Sequence, residues 1–322
     1  MGLHVHRAER TDVLADALGR LLVQPLPDPF ATAVVVVPAR GMERWLSQRL
    51  SHVLGAGPSG DGVCAAVEFR SPRSLIAEIT GTRDEDPWAP DVLAWPLLDV
   101  IDRCLDEPWA ATLARHLGHG RTGEDADLRL GRRFSVARRL AGLFASYAGQ
   151  RPSLVADWSA GRDTDGAGHS LPDDLAWQPE LWRRLVRRVV APSPLERQRD
   201  TVMRLTEDPE AFDLPLVVSL FGHTRVSASE IELLTALGVG RDVHVWLPHP
   251  SPALWRALAG DVGTIARSAD DSHQRVRHPL LASLGRDTRE LQRALSTGAL
   301  ATDVELVGAS CCAACRAIPP PP

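Results

Sequence analysis

Residues 3–8, LHVHRA, alternate apolar and polar side chains in the manner of a half-buried strand. TDVLADALGRLLV follows with apolar residues at helical spacing, and Thr11 is expected to cap that helix. After the turn-rich PLPDPF, a run of four valines predicts a strand over 33–37 and then a helix over about 41–54. GAGPSGDG reads as a loop, AAVEF as a strand, and SPRSLIAEI as a capped helix with proline near its first turn. Alternation of strand and helix through residue 80 predicts a parallel α/β sheet.

From about 85 to 207 the strand pattern is absent. APDVLAWPLLDVIDRCL, PWAATLARHLG, RRFSVARRLAGLFASYAG and PELWRRLVRRVV each carry apolar residues at helical spacing. In the last, Leu181, Trp182, Leu185, Val186, Val189 and Val190 form one stripe, and Arg183, Arg184, Arg187 and Arg188 the other face. Residues 159–176 read as a polar loop. At 214–221 LPLVVSLF restores a buried strand, followed by the helix ASEIELLTALG and the strand DVHVWLP. Residues 261–278 read as a loop, 279–295 as one capped helix, and DVELVGA at 303–309 as a further strand. The pattern predicts one α/β domain, 1–84 with 208–293, interrupted by an all-helical insertion, 85–207, and followed by an atypical tail, 294–322.

Composition narrows the chemistry. Of 322 residues 44% are hydrophobic, and no stretch approaches the roughly 18 to 20 apolar residues of a membrane span. With a polar N-terminus and no apolar leader, a soluble cytoplasmic protein is expected. Cys64 and Cys104 stand alone, while Cys311, Cys312 and Cys315 have no His or acidic neighbour and are read as part of the tail, not as a metal site. The ending GASCCAACRAIPPPP is expected to be a truncated or frameshifted terminus. All 36 basic residues are arginine, so no lysine-dependent chemistry is open to the chain. Residues 115–204 carry 16 Arg against 11 acids, a basic middle in an acidic protein; this is read either as a polyanion-binding surface or as ordinary solvated helix faces.

VVVVPARGMERWLSQRL has the outline of a phosphate loop: buried strand, tight turn, helix N-terminus. It has one glycine, no lysine, and no Ser or Thr placed for a metal, and the later strand LVVSLF ends in Gly222 and His223 instead of an acid. ATP hydrolysis by this chain is therefore not expected. The carboxylates Asp84-Glu85-Asp86, Asp173-Asp174 and Asp270-Asp271 fall in loops and are read as solvated charge, not a nuclease centre. His4 and His6 share one side of the first strand and are read as a structural pair. What remains is arginine with aromatics: Trp45 beside Arg44, and Arg132, Arg133, Arg138 and Arg139 around the stripe Phe134, Ala137, Leu140, Phe144. That mixture suits single-stranded nucleic acid; against it, Phe134, Phe144 and Trp182 are read as core.

The stretches RAERTDVLADAL, DPFATAVVVVPARGMERWLSQRL, FRSPRSLI, FASYAGQRPSLVADW, WQPELWRRLV, VVSLFGHTRVSASEIELLTAL, VHVWLPHPSPALW and HPLLASLGRDTREL, in that order, resemble the RecC family, the gamma subunits of exodeoxyribonuclease V. The resemblance covers the chain to about residue 293 and corresponds to the N-terminal part of a longer subunit. It implies a superfamily 1 helicase-like (RecA-like) sheet domain that has lost its nucleotide site. It implies binding of double-stranded DNA ends and single-stranded DNA beside RecB-like and RecD-like partners, to guide the 3′-ended strand and scan it for a recombination signal. ATP, Mg2+ and cleavage would belong to those partners; no cofactor, metal or catalytic residue is expected in this chain. Carried over by motif, the DNA-binding residues are Arg40, Arg44, Ser71, Leu143, Arg151 and Arg197; Pro38 and Arg40 stand where the better-known members have small polar residues, and Gly142 and Ala145 where they have acidic ones. A fragment that serves only as a scaffold for partner subunits is the alternative.

Overall fold

The computed structural model describes residues 1–307, apart from 27, 29, 56–61, 264, 266–268 and 298–299 and the side chains of 125 and 126. The cysteines at 311, 312 and 315, most of the loop at 55–62 and the end of the tail lie outside the described residues. Two compact units are formed: Met1–Ile76 with the chain from Arg204 onward, and Ala77–Met203.

In the first unit, β1 (Gly2–Ala8), β2 (Ala33–Val36), β3 (Val67–Arg70), β4 (Val217–Phe221), β5 (Asp242–Pro248) and β6 (Leu300–Glu305) make one parallel sheet in the order β3-β2-β4-β5-β1-β6. Its central strands are near-continuous apolar runs because both faces are covered; Val34, Val35 and Val36 are all buried. α1 (Thr11–Leu22) carries the chain from β1 to β2 and α2 (Arg40–Ser51) from β2 to β3, both moving toward the β3 edge. α11 (Ala228–Leu237) carries it from β4 to β5, toward the β6 edge. Right-handed crossovers then put α1 and α2 on one face and α11 on the other. Leu14, Leu18, Leu46 and Leu50 of α1 and α2 accordingly pack with Ala8, Val35, Phe221 and Trp246.

Local chemistry explains the element ends. α11 starts at a capping box: the Ser227 hydroxyl accepts the Glu230 N–H at 3.2 Å, and Glu230 accepts the Ser227 N–H at 2.7 Å. At α1 the expected cap is displaced. Arg10 is the extended cap residue, Thr11 is already helical, and the Asp12 carboxylate accepts the Val13 N–H at 3.0 Å. The buried Arg241, just before β5, donates to the carbonyls of Pro209 (2.9 Å), Phe212 (2.6 Å) and Leu214 (3.4 Å), tying down the entry to β4.

After β5 the expected pattern changes. A short α12 (Pro252–Ala257) forms, and the helix expected over 279–295 is two, α13 (Pro279–Leu284) and α14 (Arg286–Leu295), broken at Gly285. A Cβ there would stand 2.5 Å from the Leu281 carbonyl oxygen, so glycine permits the tight join. Asp270, read from the sequence as solvated, has its carboxylate buried between Arg293 (3.3 Å) and Arg286 (3.8 Å). Isolated loop charge in a sequence says nothing of distant cations that fold onto it.

Among its described residues the second unit is helical: α4 (Pro90–Cys104), α5 (Ala111–His116), α6 (Glu124–Leu130), α7 (Arg133–Gln150), α8 (Pro152–Ser159) and α9 (Gln178–Val189), with α3 (Pro72–Ile79) leading in and α10 (Pro194–Glu207) leading out. Its core gathers large aromatics. Phe144 meets Trp182 edge-on at 5.6 Å and Trp158 at 6.5 Å, and Trp88 lies 5.4 Å from Trp182. Trp158 and Trp182 keep their indole N–H groups bonded, to the Thr164 carbonyl and the Ser159 hydroxyl, both at 2.9 Å. Val190 leaves the expected apolar stripe: it is the left-handed C-cap of α9 (φ 55°) and is exposed.

Candidate nucleic-acid interface

Connections leave neighbouring strands in opposite directions at β2/β4, at β5/β1 and, by way of the helical unit, at β3/β2. Open α/β sheets bind ligands outside the carboxyl ends of strands at such reversals.

At β2/β4 the turn into α2 is three residues long, Val37 to Ala39, with Ala39 as an extended N-cap. Gly41 lies inside the helix, and a Cβ on it would meet nothing within 4 Å. This glycine does not shape a loop around an anion. Across the reversal, Gly222 takes φ +74° under the Met42 side chain, and His223 is buried, its Nε2 donating to the Val36 carbonyl at 3.2 Å. Burial lowers the His223 pKa, so the ring is neutral and ties the end of β4 to the end of β2. The position where a nucleotide-hydrolysing strand presents a magnesium-binding acid is occupied here by a structural imidazole.

At β5/β1 a cavity of about 330 Å³ opens among Ala8, Glu9, Val13, His249, Pro252 and Leu306. The N-terminus of α1, which could hold a phosphate, holds the Asp12 carboxylate instead, itself clamped by Arg10 at 3.0 Å. Arg7 on the cavity wall is committed to Asp303 at 2.6 Å and lies over the Trp255 ring at 4.2 Å. Below this end the same face carries a ladder of stacked rings. His6 lies on Trp246 at 4.1 Å and hydrogen-bonds His244 at 3.0 Å, and His4 stacks on His244 at 4.8 Å. His4 and His6 are thus the pair their spacing suggested, extended by a third histidine. Among the described residues no group of His, Cys, Asp or Glu is arranged to hold a metal ion.

The uncommitted charge lies at the β2 end. Of the arginines on α2, Arg49 is bound through two parallel 2.9 Å bonds to Asp16 of α1, whereas Arg40 and Arg44, one turn apart, are exposed and have no partner among the described residues. Trp45 beside them is partly exposed and leans on Phe221 at 6.3 Å. Pairing of β2 with β3 carries Val36 beside Arg70, and the Val37 N–H reaches the Arg70 carbonyl at 2.9 Å. Ser71 is therefore brought next to Pro38. Its hydroxyl accepts the Ser74 N–H at 3.2 Å and so caps α3. Sequence reasoning missed Arg73 on the first turn of α3, exposed and likewise without a partner among the described residues. Only the β2–β3 pairing, invisible in the sequence, puts it on the same edge as Arg40.

The other expected residues belong to the helical unit. Arg151 is the exposed C-cap of α7, its N–H bonded to the Tyr147 carbonyl at 2.8 Å and its guanidinium free among the described residues. Leu143 is half-buried against the aromatic core, Gly142 is exposed and Ala145 half-buried. Arg197 is committed: it donates to Asp86 at 2.7 Å and is largely buried, so its guanidinium is not displayed. The arginine face of α9 is also paired: Arg183 and Arg184 each reach Glu180 at 2.9 Å, and Arg188 reaches Asp99 at 2.6 Å.

This is a RecA-like parallel sheet with guanidinium groups on its strand-end edge. Residues 3–312 match the family described as "RecC, N-terminal domain". The chain is 61% identical over 315 residues to the RecBCD enzyme subunit RecC of Mycobacterium tuberculosis, covering 96% of this chain and 28% of that protein. It is 61% identical over 295 residues to the subunit of that name in Mycolicibacterium smegmatis (92% and 25%), and 27% identical over 291 residues to the one in Escherichia coli (86% and 24%). The chain belongs to the RecC family and spans about a quarter of the length of the curated relatives it matches. The match passes residue 293, where the recognised motifs stop, and takes in the strand β6.

Proposed function

We propose that this chain is the N-terminal part of a non-catalytic DNA-binding subunit of a RecBCD-type helicase/nuclease acting in cytoplasmic double-strand break repair. In this reading it takes single-stranded DNA from a duplex end and guides the 3′-ended strand, while RecB-like and RecD-like partners supply ATP, Mg2+ and cleavage. Scanning for a recombination signal would be a property of the assembled enzyme. The observation that carries the reading is the pair of uncommitted guanidiniums, Arg40 and Arg44, at the start of α2 beside the Ser71-capped start of α3. Helix N-termini and free arginines favour phosphate.

Titrating labelled oligothymidine with the chain at rising salt tests this. Each lost phosphate contact is expected to reduce the slope of log affinity against log salt by about 0.7 for single strands. Arg40→Gln with Arg44→Gln should weaken binding several-fold and flatten that slope, and Arg151→Gln should act in the same direction. Equal slopes for wild type and the Arg40/Arg44 variant would sink the proposal.

A second reading, a scaffold that docks partner subunits, draws on charge. The helical unit carries 17 arginines against 20 acidic residues, a net of −3, so it has no general attraction for a polyanion. Co-purification with a RecB-like subunit by a chain without DNA affinity would favour it.

A further inference from the structure

Phe221, Gly222 and His223, where β4 ends without a magnesium-binding acid, all meet the end of β2 or the first two turns of α2. The Phe221 ring lies 6.3 Å from that of Trp45, tilted by 34°. Gly222 lies under Met42, whose methyl group stands 3.2 Å from where a Cβ would be. The His223 Nε2 donates to the carbonyl of Val36, the last residue of β2, at 3.2 Å. The Gly222 N–H bonds the Trp246 carbonyl of β5 at 3.0 Å, so this strand end is itself anchored to its neighbour.

α2 depends on that support. Its N-cap, Ala39, has no side-chain oxygen to accept a helix N–H, whereas α1, α3 and α11 begin beside Asp12, Ser71 and Ser227. Met42 is two residues from both Arg40 and Arg44, about 200° round the helix. It packs against the core while the two arginines face outward. Only Val37, Pro38 and Ala39 separate Val36 from Arg40. A hold on Val36 before the turn and on Met42 after it therefore fixes where both arginine side chains start.

We infer that Gly222 and His223 are positioning residues for the DNA contact, acting through Arg40 and Arg44 without touching DNA. The inference rests on the DNA-binding reading above and adds what sets the placement of its two guanidiniums. Groups held in place before binding lose less freedom on binding, so a fixed turn raises affinity. His223 is buried and neutral, so it brings no charge of its own to the edge, and its effect on a polyanion must pass through the arginines.

The test is a double-mutant cycle on oligothymidine affinity, measured on the full chain by fluorescence anisotropy at a temperature where melting curves show each variant folded. His223→Ala is expected to weaken binding about 5-fold, and to change nothing in the background of Arg40→Gln with Arg44→Gln. His223→Gln, which keeps an N–H donor, should retain most of the affinity. Met42→Ala loosens the same turn from a half-buried position and replaces His223→Ala if that variant does not fold, with the same pattern expected. If the loss is equal in both backgrounds, or absent while the arginine variant loses affinity, the positioning role is wrong and the DNA-binding reading stands. If the arginine variant binds like wild type, or wild type does not bind at low salt, both fall.

Discussion

Four histidines in the sheet unit are held neutral, and that gives the fold a pH dependence. His6, His244 and His249 are lowered from about 6.5 to about 4, first by burial and then by the charge of neighbours, His4 for His6, His6 and His4 for His244, and Arg7 for His249. His223 is lowered by burial. The groups facing the ladder are Asp242 and the N-terminal ammonium at its edge and Thr302 of β6 beside His4. A base with a folded pKa below its unfolded value takes up protons when the chain unfolds, so stability falls as pH drops from about 6.5 toward 4. Urea midpoints at pH 7 and pH 5 should show that fall, and His244→Gln should shrink it. A midpoint independent of pH across this window would contradict neutral burial. None of this was legible in LHVHRA and DVHVWLP separately. Alternation predicted the two strands, but only their pairing in the register His4 with His244 and His6 with Trp246 stacks the rings.

At the scale of the element, two glycines near the same sheet edge have opposite roles. Gly41 follows the valine strand and looks like a loop glycine in the sequence, yet it sits in a helix with open space around its Cα. Gly222 looks like a strand end, yet its φ of +74° and the Met42 methyl group 3.2 Å from a would-be Cβ make glycine necessary. Gly41→Ala is expected to be neutral or stabilising by about 0.5–1 kcal/mol, and Gly222→Ala destabilising by at least about 1 kcal/mol. Thermal melts of the two variants check this; a large loss at Gly41 would mean that the turn is a shaped loop after all. Sequence patterning was accurate where a segment's own period decides, as for β5 and α11. It failed at Thr11 and at 279–295, where Asp12 supplies the cap and where Gly285 allows a tight join.

For the whole molecule, charge and core lead in different directions. The basic stretch 115–204 is answered in three dimensions by acids from 84–107: Asp86 takes Arg197, Asp99 takes Arg188, Asp102 takes Arg133 and Glu107 takes Arg184. A charge tally by stretch therefore overstated the attraction for a polyanion. The helical unit's core, by contrast, is self-contained, with Trp88, Phe144, Trp158 and Trp182 buried among its own helices. A chain spanning residues 77–203 is expected to fold alone, showing near-UV dichroism from fixed tryptophans and one cooperative urea transition. Phe144→Ala in that chain should cost about 3–5 kcal/mol. A broad, non-cooperative transition in the parent chain would show that the unit depends on the rest of the protein.

By itself the sequence determined the parallel α/β class, the helical middle and the absence of lysine chemistry, because periodicity and residue type are local properties. It also isolated Arg40 and Arg44 on a strand-turn-helix, and its motif order was enough to point to the RecC family. Only the tertiary structure decided which arginines are free. Arg49, Arg184, Arg188 and Arg197 are bound by carboxylates from other elements, while Arg40, Arg44, Arg73 and Arg151 have no partner among the described residues. It likewise left Phe134 on the surface against Trp95, although the two are 39 positions apart in the chain. Ion pairing and ring packing join residues distant in sequence, so neither can be read until the chain has folded.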